Sequence, residues 1–260
     1  MFLHAIIPPT IALTIGPLTI YWYGIVMAVA IIVGLLLALL VAKKRGLNPE
    51  IIFDVAIWLV IGGLIGARVY EIFLEWSFYG SHPQEIIQIW HGGLAIHGAL
   101  IGGALALWFY CKRKKVSLWP LLSVLVPALA LAQAIGRWGN WFNQELFGRP
   151  TNSNWGIPIS PFNRPAGFET DQYFLPTFLF ESLGLLILAA ILYFLVIKNK
   201  LNPKKIFSIY LIGYGLIRFL LEFIKIDQTP IVLGLRWPQI ISLIMIVAGI
   251  IIFTNKKTEV

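Results

Sequence analysis

The chain has 260 residues, of which 58% are hydrophobic and only 12% are charged, and its mean hydropathy is +0.82. A water-soluble domain cannot bury that much apolar surface, so the composition excludes an ordinary soluble enzyme and indicates a protein solvated largely by lipid. The formal net charge of +8 does not indicate a nucleic-acid partner, because the basic residues cluster at the ends of apolar segments.

Seven apolar segments are long enough to cross about 30 Å of hydrocarbon, which takes roughly 20 helical residues. These predicted spans are 18–42, 51–74, 93–111, 119–137, 176–197, 205–225 and 234–254. A spanning segment must satisfy its own backbone hydrogen bonds, so the sequence predicts an all-α, polytopic membrane helix bundle. We expect residues 1–260 to form a single transmembrane catalytic domain.

The basic residues predict the orientation of the bundle. They follow the first, third and fifth spans and end the chain, so alternating spans place all of them on one side: Lys43, Lys44, Arg45, Lys112, Arg113, Lys114, Lys115, Lys198, Lys200, Lys204, Lys205, Lys256 and Lys257. By the positive-inside rule this side is cytoplasmic, which puts the N-terminus outside and the C-terminus inside. No basic residue precedes the first apolar segment, so we expect that segment to be retained rather than cleaved as a signal peptide.

The outward segment 138–175 is long and rich in Asn, Pro, Gly and aromatic residues. Trp and Tyr prefer the membrane interface, so either an extracytoplasmic cap or a plain aromatic belt would explain them. The stretch 136–150, GRWGNWFNQELFGRP, contains two arginines, two asparagines and a glutamate at the outer end of an apolar helix. A cation in that position suits an anionic lipid head group.

The sequence gives little support for a metal or cofactor site, and its glycine pairs give little support for a catalytic role. His91 and His97 fall on different faces of a helix, and Cys111 is the single cysteine, so we expect no metal site and no cofactor. Glycines four residues apart, Gly62 with Gly66 and Gly98 with Gly102, indicate close helix packing rather than catalysis.

Seven ionisable residues inside the predicted spans stand out because they map to the outer half of the bilayer: Arg68, Glu71, His97, Arg137, Glu181, Arg218 and Glu222. Each costs roughly 2.5 to 3.5 kcal/mol on insertion scales and therefore needs a reason. Arg68 with Glu71, and Arg218 with Glu222, could form local ion pairs. Arg137 has no carboxylate on its own turn, and the planar fork of its guanidinium suits an external phosphate. His97 is open to two interpretations, as a packing residue or as part of a ligand site.

This set offers a general base, cationic side chains and amide donors, but no nucleophile elbow of the hydrolase type. It favours transfer from an anionic lipid to an acceptor that brings its own nucleophile, with arginines stabilising a phosphate leaving group. The alternative is an anion or lipid transporter with a site at Arg68, Arg137 and Arg218. A transporter site is expected near the midplane, whereas these residues lie in one leaflet.

The stretch GRWGNWFNQELFG at 136–148 strongly resembles the signature of bacterial prolipoprotein diacylglyceryl transferases. Further blocks occur in the order found in that family: YWYG at 21–24, GAR at 66–68, HGGLAIHG at 91–98, the PT to FES stretch at 176–182 and YGLIRFLLEF at 214–223. The resemblance therefore covers most of the chain. Seven spans with an outside N-terminus also fit the family.

The resemblance implies a definite reaction in the bacterial cytoplasmic membrane, with the active site facing the outer leaflet. The family moves a diacylglyceryl group from phosphatidylglycerol to the cysteine thiol in the lipobox of a prolipoprotein signal peptide. A thioether forms and glycerol phosphate leaves. The implied partners are thus phosphatidylglycerol, the prolipoprotein and the surrounding membrane lipid.

The resemblance also implies roles for individual residues. His97 is expected to take the proton of the substrate thiol, while Arg137 and Arg218 hold the phosphodiester. Asn140 and Tyr23 are expected to position the glycerol. The remaining predicted binding residues are Asn143, Glu145, Gly148, Arg68 and Glu222, the last as the residue that orients Arg218.

One position departs from the family pattern. Many relatives carry an arginine three residues after the glutamate of the sixth span, where this chain has Lys225. Lysine keeps the charge but loses the bidentate fork. Lys225 is therefore left out of the predicted site.

Overall fold

The computed structural model describes residues 2–16, 18–198 and 201–255, and most of them are helical. The helices are α1 (Trp22–Lys44), α2 (Pro49–Leu74), α3 (Trp76–Ser81), α4 (Ile96–Lys114), α5 (Leu118–Asn143), α6 (Thr177–Ile197), α7 (Pro203–Glu222) and α8 (Trp237–Thr254). Within the described ranges, five helices are long and apolar enough to cross a membrane, namely α1, α2, α5, α6 and α8. The predicted class, a polytopic helical membrane protein, is confirmed.

Two of the long helices begin at a cap that the sequence supplies. The Asn48 side chain accepts a hydrogen bond from the Glu50 N–H at 3.0 Å, and Pro49 occupies the first position of α2. Asn202 does the same for the Lys204 N–H at 2.9 Å, with Pro203 opening α7. Both pairs follow the usual chemistry of helix starts, because Asn satisfies a free N–H and Pro needs none.

Short antiparallel strand pairs lie outside the helices. β1 (Ile11–Ile15) pairs with β2 (Leu18–Tyr21), β3 (Ile157–Pro158) with β4 (Tyr173–Phe174), and β5 (Ile231–Val232) with β6 (Leu235–Arg236). The first pair corrects the predicted start of span one. Residues 18–21 are a strand, so the helix begins at Trp22 rather than at 18.

The chain forms two compact units, of which the second comprises Ala42–Leu121. Within it α2 and α4 pack closely, because a Cβ added to Gly66 would collide with the Gly98 carbonyl oxygen and with Gly102. A Cβ on Gly62 would meet Ala106 Cβ at 2.5 Å. The predicted packing role of these glycines is confirmed.

The first unit comprises Met1–Val41 and Leu122–Val260. In it α7 packs against both α6 and α8. Buried polar contacts fix neighbouring helices: the Ser182 hydroxyl donates to the Ala134 carbonyl at 2.8 Å, and the Tyr210 hydroxyl donates to Gln133 Oε1 at 3.1 Å. These contacts join α5 to α6 and to α7. The candidate site lies where the C-terminal ends of α5 and α7 meet the N-terminal end of α6.

The predicted cap, 138–175, is ordered and has its own apolar core. This core contains Leu3, Phe147, Ile157, Ile159, Phe174, Phe178 and Leu179. Trp138, Trp141 and Phe168 pack against it. The first turn of the chain is tied to it as well, since His4 stacks on Tyr173 at 4.1 Å and its Nδ1 lies 2.8 Å from the Gly156 carbonyl oxygen.

Candidate functional site

Glu181 on α6 is the centre of a buried ion cluster in the first unit. Its Oε1 lies 2.7 Å from Arg137 Nη2, and its Oε2 lies 3.5 Å from Lys225 Nζ and 3.8 Å from Arg218 Nη1. The carboxylate is 1% exposed. Two arginines from separate helices, α5 and α7, therefore converge on one carboxylate.

Glu222, at the end of α7, is the second buried carboxylate. Its Oε2 lies 3.1 Å from Arg218 Nη2, and its Oε1 lies 2.8 Å from Nε of Arg236. The local pair between Arg218 and Glu222, one of the two interpretations that the sequence left open, is thus present. Arg236, which the sequence did not indicate, is a second partner.

The cluster carries an excess of positive charge. Its ion pairs join the basic side chains of Arg137, Arg218, Lys225 and Arg236 to the carboxylates of Glu181, Glu222 and Asp227. Taken at their formal charges, these seven ion-paired groups sum to +1; Glu145, which reaches Arg137 through Asn140 rather than by an ion pair, is not among them. Because an uncompensated charge is costly in a buried site, a monoanion such as a phosphodiester is the ligand that this cluster favours.

The cluster also has hydrogen-bonding capacity that its ion pairs do not use. Nη1 of Arg218 is buried, and within the described part of the chain it has no hydrogen-bond partner. Its 3.8 Å contact with Glu181 is an attraction between charges, too long for a hydrogen bond. This donor suits a phosphate oxygen.

The polar residues of the signature continue from the cluster along the end of α5. Arg137 Nη1 donates to Asn140 Oδ1 at 3.3 Å, and Asn140 Nδ2 donates to Glu145 Oε1 at 2.8 Å. Asn143 Nδ2 reaches the same Glu145 oxygen at 3.5 Å. The helix runs to Asn143, beyond the predicted end at 137, and so places Arg137 and Asn140 on one face.

Tyr23, in the first turn of α1, lies beside this row. A Cβ added to Gly139 would be 2.8 Å from Cδ2 of the Tyr23 ring, so the ring lies directly against the α5 backbone. The phenol is close enough to Glu145 and Arg137 to interact with both charges. Gly139 is therefore a residue of the site that the sequence analysis missed, although it stands within the signature.

The turn after α5 has an unusual backbone. Gln144 and Leu146 have φ values of 53° and 55°, in the left-handed region that residues with a side chain rarely adopt. Tertiary contacts hold both: Gln144 Oε1 accepts from the Ser160 N–H at 2.8 Å, and the Leu146 carbonyl accepts from the Thr177 hydroxyl. This conformation places Glu145 next to the asparagines, and no sequence propensity indicates it.

A cavity of about 430 Å³ opens beside this turn in the first unit. It is lined by Asn143, Gln144, Glu145, Leu146, Phe147, Asn163, Pro165, Ile226 and Asp227. Glu145 connects it to Asn140, and Asp227 connects it to Arg236. A hydroxylated group bound in this cavity would find carboxylate and amide oxygens as acceptors.

Gly148 lies where the chain passes between α6 and the segment after α7. Its N–H donates to the Leu175 carbonyl at 2.9 Å, and it pairs with Lys225 in an isolated bridge. A Cβ there would stand 2.9 Å from the Ile224 carbonyl oxygen. These contacts support a packing role, and the predicted role in substrate binding stays a prediction.

We predict that Gly148→Ala destabilises the protein by about 1–3 kcal/mol, the usual result of overpacking a tight site. The displaced segment carries Lys225, so activity should also fall. The measurement is the midpoint of thermal unfolding in detergent. Gly24→Ala is the control, because a Cβ at Gly24 meets nothing within 4 Å, and an equal loss in both variants would contradict the argument.

Arg68 lies in the second unit, buried at 6% exposure. Its guanidinium donates to the carbonyls of Ile86 (2.9 Å), Gly92 (2.7 Å), Gly93 (2.7 Å), Gln88 (3.4 Å) and Glu85, and to the Tyr79 hydroxyl (3.0 Å). Backbone carbonyls are thus the partners of Arg68, in place of the Glu71 carboxylate that the sequence offered as one alternative. The contacts support a role in holding the 82–93 segment, and lipid binding by Arg68 stays a prediction.

His97 lies in the first turn of α4, also in the second unit, and its side chain is exposed. The imidazole is 6.0 Å from the Tyr70 ring, centroid to centroid. Gly98 beside it is packed against the α2 backbone. The His97 side chain is therefore accessible, while the first turn of α4 that carries it is packed against α2.

Long apolar helices, a cap with its own core and a buried cluster of ion pairs describe a polytopic membrane protein with a site suited to an anionic ligand. Residues 10–255 match the family model described as prolipoprotein diacylglyceryl transferase. The chain belongs to this family, which confirms the resemblance seen in the signature.

Curated relatives agree over nearly the whole chain. A protein of Trichormus variabilis is 43% identical over 94% of this chain and 88% of its own length. One of Synechococcus elongatus is 44% identical over 91% and 83%, and one of Gloeobacter violaceus is 40% identical over 93% and 90%. All three are named phosphatidylglycerol–prolipoprotein diacylglyceryl transferase.

Proposed function

We propose that this protein transfers the diacylglyceryl group of phosphatidylglycerol to the lipobox cysteine of a prolipoprotein, the first step of lipoprotein maturation. The observation that carries the proposal is the convergence of Arg137 and Arg218 on Glu181, in a cluster whose formal charge is +1. A phosphodiester carries one negative charge and would neutralise that excess. The names of the relatives support the two substrates.

The reaction is an alkyl transfer. The cysteine sulfur, as thiolate, attacks the glycerol carbon that bears the phosphate oxygen, and a carbon–sulfur bond forms as the carbon–oxygen bond breaks. The electron pair of the broken bond leaves on the phosphate oxygen, so glycerol phosphate is released. No acyl or phosphoryl group moves.

Arg137 and Arg218 act on the charge that develops on this leaving oxygen. Cationic donors fixed in a dry site stabilise such charge far more than donors in water do. Glu181 holds both guanidinium groups in place before substrate arrives, so little reorganisation is needed. Glu222 fixes the other face of Arg218.

The head group is assigned to the end of α5. Asn140 and Tyr23 position the glycerol, and Asn143 with Glu145 contributes acceptors from the adjoining cavity. Gly148 and Arg68 serve the reaction by holding the surrounding segments. The site is proposed to face the outer leaflet of the bacterial cytoplasmic membrane.

The proposed topology has seven spans, with α4 and α7 added to the five most apolar helices. α4 ends in Lys112, Arg113 and Lys114, and α7 carries two of the site residues, which lowers the hydropathy of both. The basic residues at the ends of α1 and α4 support an outside N-terminus and an inside C-terminus.

His97 is proposed as the base that takes the thiol proton. A cysteine thiol has a pKa near 8.5, so few thiolates are present at neutral pH without a base. His97→Ala should therefore abolish measurable lipidation at pH 7, and the defect should shrink towards pH 9 as the thiol ionises unaided. The control is His82→Ala, which changes another exposed histidine of the second unit and should keep near-normal activity. Near-normal turnover of His97→Ala at pH 7 would show that His97 is not the base.

The proposed function is tested by incubating the purified protein with phosphatidylglycerol vesicles and a synthetic lipobox peptide, then measuring the peptide mass. We expect the gain of one diacylglyceryl group on the cysteine peptide and no gain on a peptide with serine at that position. Phosphatidylglycerol movement between leaflets without any peptide modification would instead indicate a lipid transporter.

A further inference from the structure

We propose that Arg236 is a positioning residue for the reaction, acting on Arg218 through the carboxylate of Glu222. This inference rests on the proposed function, in which Arg218 meets the phosphate. Arg236 lies in β6, directly before α8, and neither the signature nor the predicted site includes it.

The two arginines bind opposite oxygens of one carboxylate. Nε of Arg236 lies 2.8 Å from Glu222 Oε1, while Nη2 of Arg218 lies 3.1 Å from Glu222 Oε2. Glu222 is 1% exposed, so water does not compete for it. The orientation of the carboxylate, and with it that of the Arg218 fork, is therefore set by the cation on its far side.

The guanidinium of Arg236 is itself fixed by backbone groups. Its Nη1 donates to the Lys225 carbonyl at 2.8 Å, and its Nη2 donates to the Asp227 carbonyl and lies 3.6 Å from Asp227 Oδ2. Its own N–H donates to Gln239 Oε1 at 3.0 Å, which ties it to the start of α8. Nε pairs with Glu222 as an ion pair without hydrogen-bond geometry, and both terminal nitrogens donate to carbonyls, so the geometry suits a residue that orients Arg218 rather than one that binds the phosphate.

The same contacts reach the other side of the cluster. The carbonyl that Arg236 holds belongs to Lys225, whose ammonium group lies 3.5 Å from Glu181. Arg236 thereby fixes Glu222 directly and Lys225 through its backbone. Loss of Arg236 should loosen Arg218 between Glu181 and Glu222 without removing any group that touches substrate.

The first test compares Arg236→Ala with Arg149→Ala. Arg149 is a matched control, because its Nη2 donates to the Phe223 carbonyl at 2.6 Å in the same segment but it makes no described contact with Glu222. For Arg236→Ala we expect kcat to fall by about tenfold with KM changed little, since Arg218 acts mainly in the transition state. Arg149→Ala should stay close to the wild type, and equal kcat losses in the two variants would overturn the inference.

The second test is a double-mutant cycle with Glu222→Gln, which separates action through Glu222 from any other effect. If Arg236 acts through this carboxylate, Arg236→Ala should have almost no further effect on kcat in the Glu222→Gln background. An undiminished loss of about tenfold there would mean that Arg236 binds substrate itself or merely supports the fold, and would overturn the proposal.

Further variants keep the test decisive. Arg236→Lys retains a cation for Glu222 and should recover part of the lost kcat, whereas Arg236→Gln should not. This comparison remains informative if Arg236→Ala does not fold or if the activities in the double-mutant cycle fall below detection. Lack of rescue by lysine, with both proteins folded, counts against the inference. An inactive wild-type protein refutes the proposed function itself, whereas an active wild type with unchanged Arg236 variants refutes this inference alone.

Discussion

Replacing Arg137 with alanine is expected to lower lipidation of a lipobox peptide by roughly a hundredfold to a thousandfold. This is the loss typical of removing one preorganised donor from a developing negative charge. Arg137 lies 2.7 Å from Glu181 and 3.3 Å from Asn140, so it connects the cationic cluster to the signature asparagines. The effect should fall mainly on kcat. The measurement is initial rate against phosphatidylglycerol concentration, with the peptide saturating.

This variant should still fold, because Glu181 keeps Lys225 and Arg218 as partners, but it should lose some stability with the shortest ion pair of Glu181. A cooperative thermal transition at the assay temperature or above would show that the lost activity is chemical. Arg137→Lys is the informative companion: it retains the charge but loses the planar fork, so we expect only partial recovery. A rate for Arg137→Ala within a few-fold of the wild type would contradict the role assigned to the cluster.

Glu181→Gln should cause the largest loss of stability among single changes in the site. The substitution keeps the shape of the side chain but removes the negative charge that Arg137, Arg218 and Lys225 share, and so raises the formal charge of the cluster from +1 to +2. Removing one partner of a buried ion pair costs about 3–5 kcal/mol. Activity should fall as well, because the two arginines lose the group that brings them together.

The free energy of unfolding in detergent checks this expectation. Asp54→Asn provides the comparison, since Asp54 is half-exposed and lies 3.8 Å from Lys114 at the surface of the second unit. Such a pair contributes less than about 1 kcal/mol. If Glu181→Gln and Asp54→Asn proved equally stable, Glu181 could not be the electrostatic centre of the cluster.

The helical membrane fold could be predicted because long apolar segments admit few other structures in lipid. The start of α1 could not, because the apolar residues at 18–21 suit a strand and a helix equally, and pairing with Ile11–Ile15 decides between them. The continuation of α5 to Asn143 was missed because the mean hydropathy falls where the polar signature begins, although the helix continues.

The candidate site was predictable where charge inside a span marks a residue. Arg137, Arg218, Glu181 and Glu222 stood out in this way, and the structure brings all four into one cluster. Arg236 escaped because it stands at the very start of the predicted span 234–254, beside no other charged residue of that span, and only the tertiary fold brings it to Glu222.

Two other residues show the limits of reasoning from charge and family pattern. Lys225 was set aside for lacking a bidentate fork, yet its buried ammonium group faces Glu181. Arg68 stood out as a charge in a span, but its partners are carbonyls of an irregular segment that no sequence pattern marks.

The most direct test of the account is to quantify, in one reaction, both the lipidated peptide and the glycerol phosphate released from phosphatidylglycerol. Attack at the glycerol carbon predicts that the two products form in equal amounts and that Arg137→Ala suppresses both together. A peptide that gains a single acyl chain, or a phospholipid that releases glycerol while its phosphate stays on the lipid, would contradict the account.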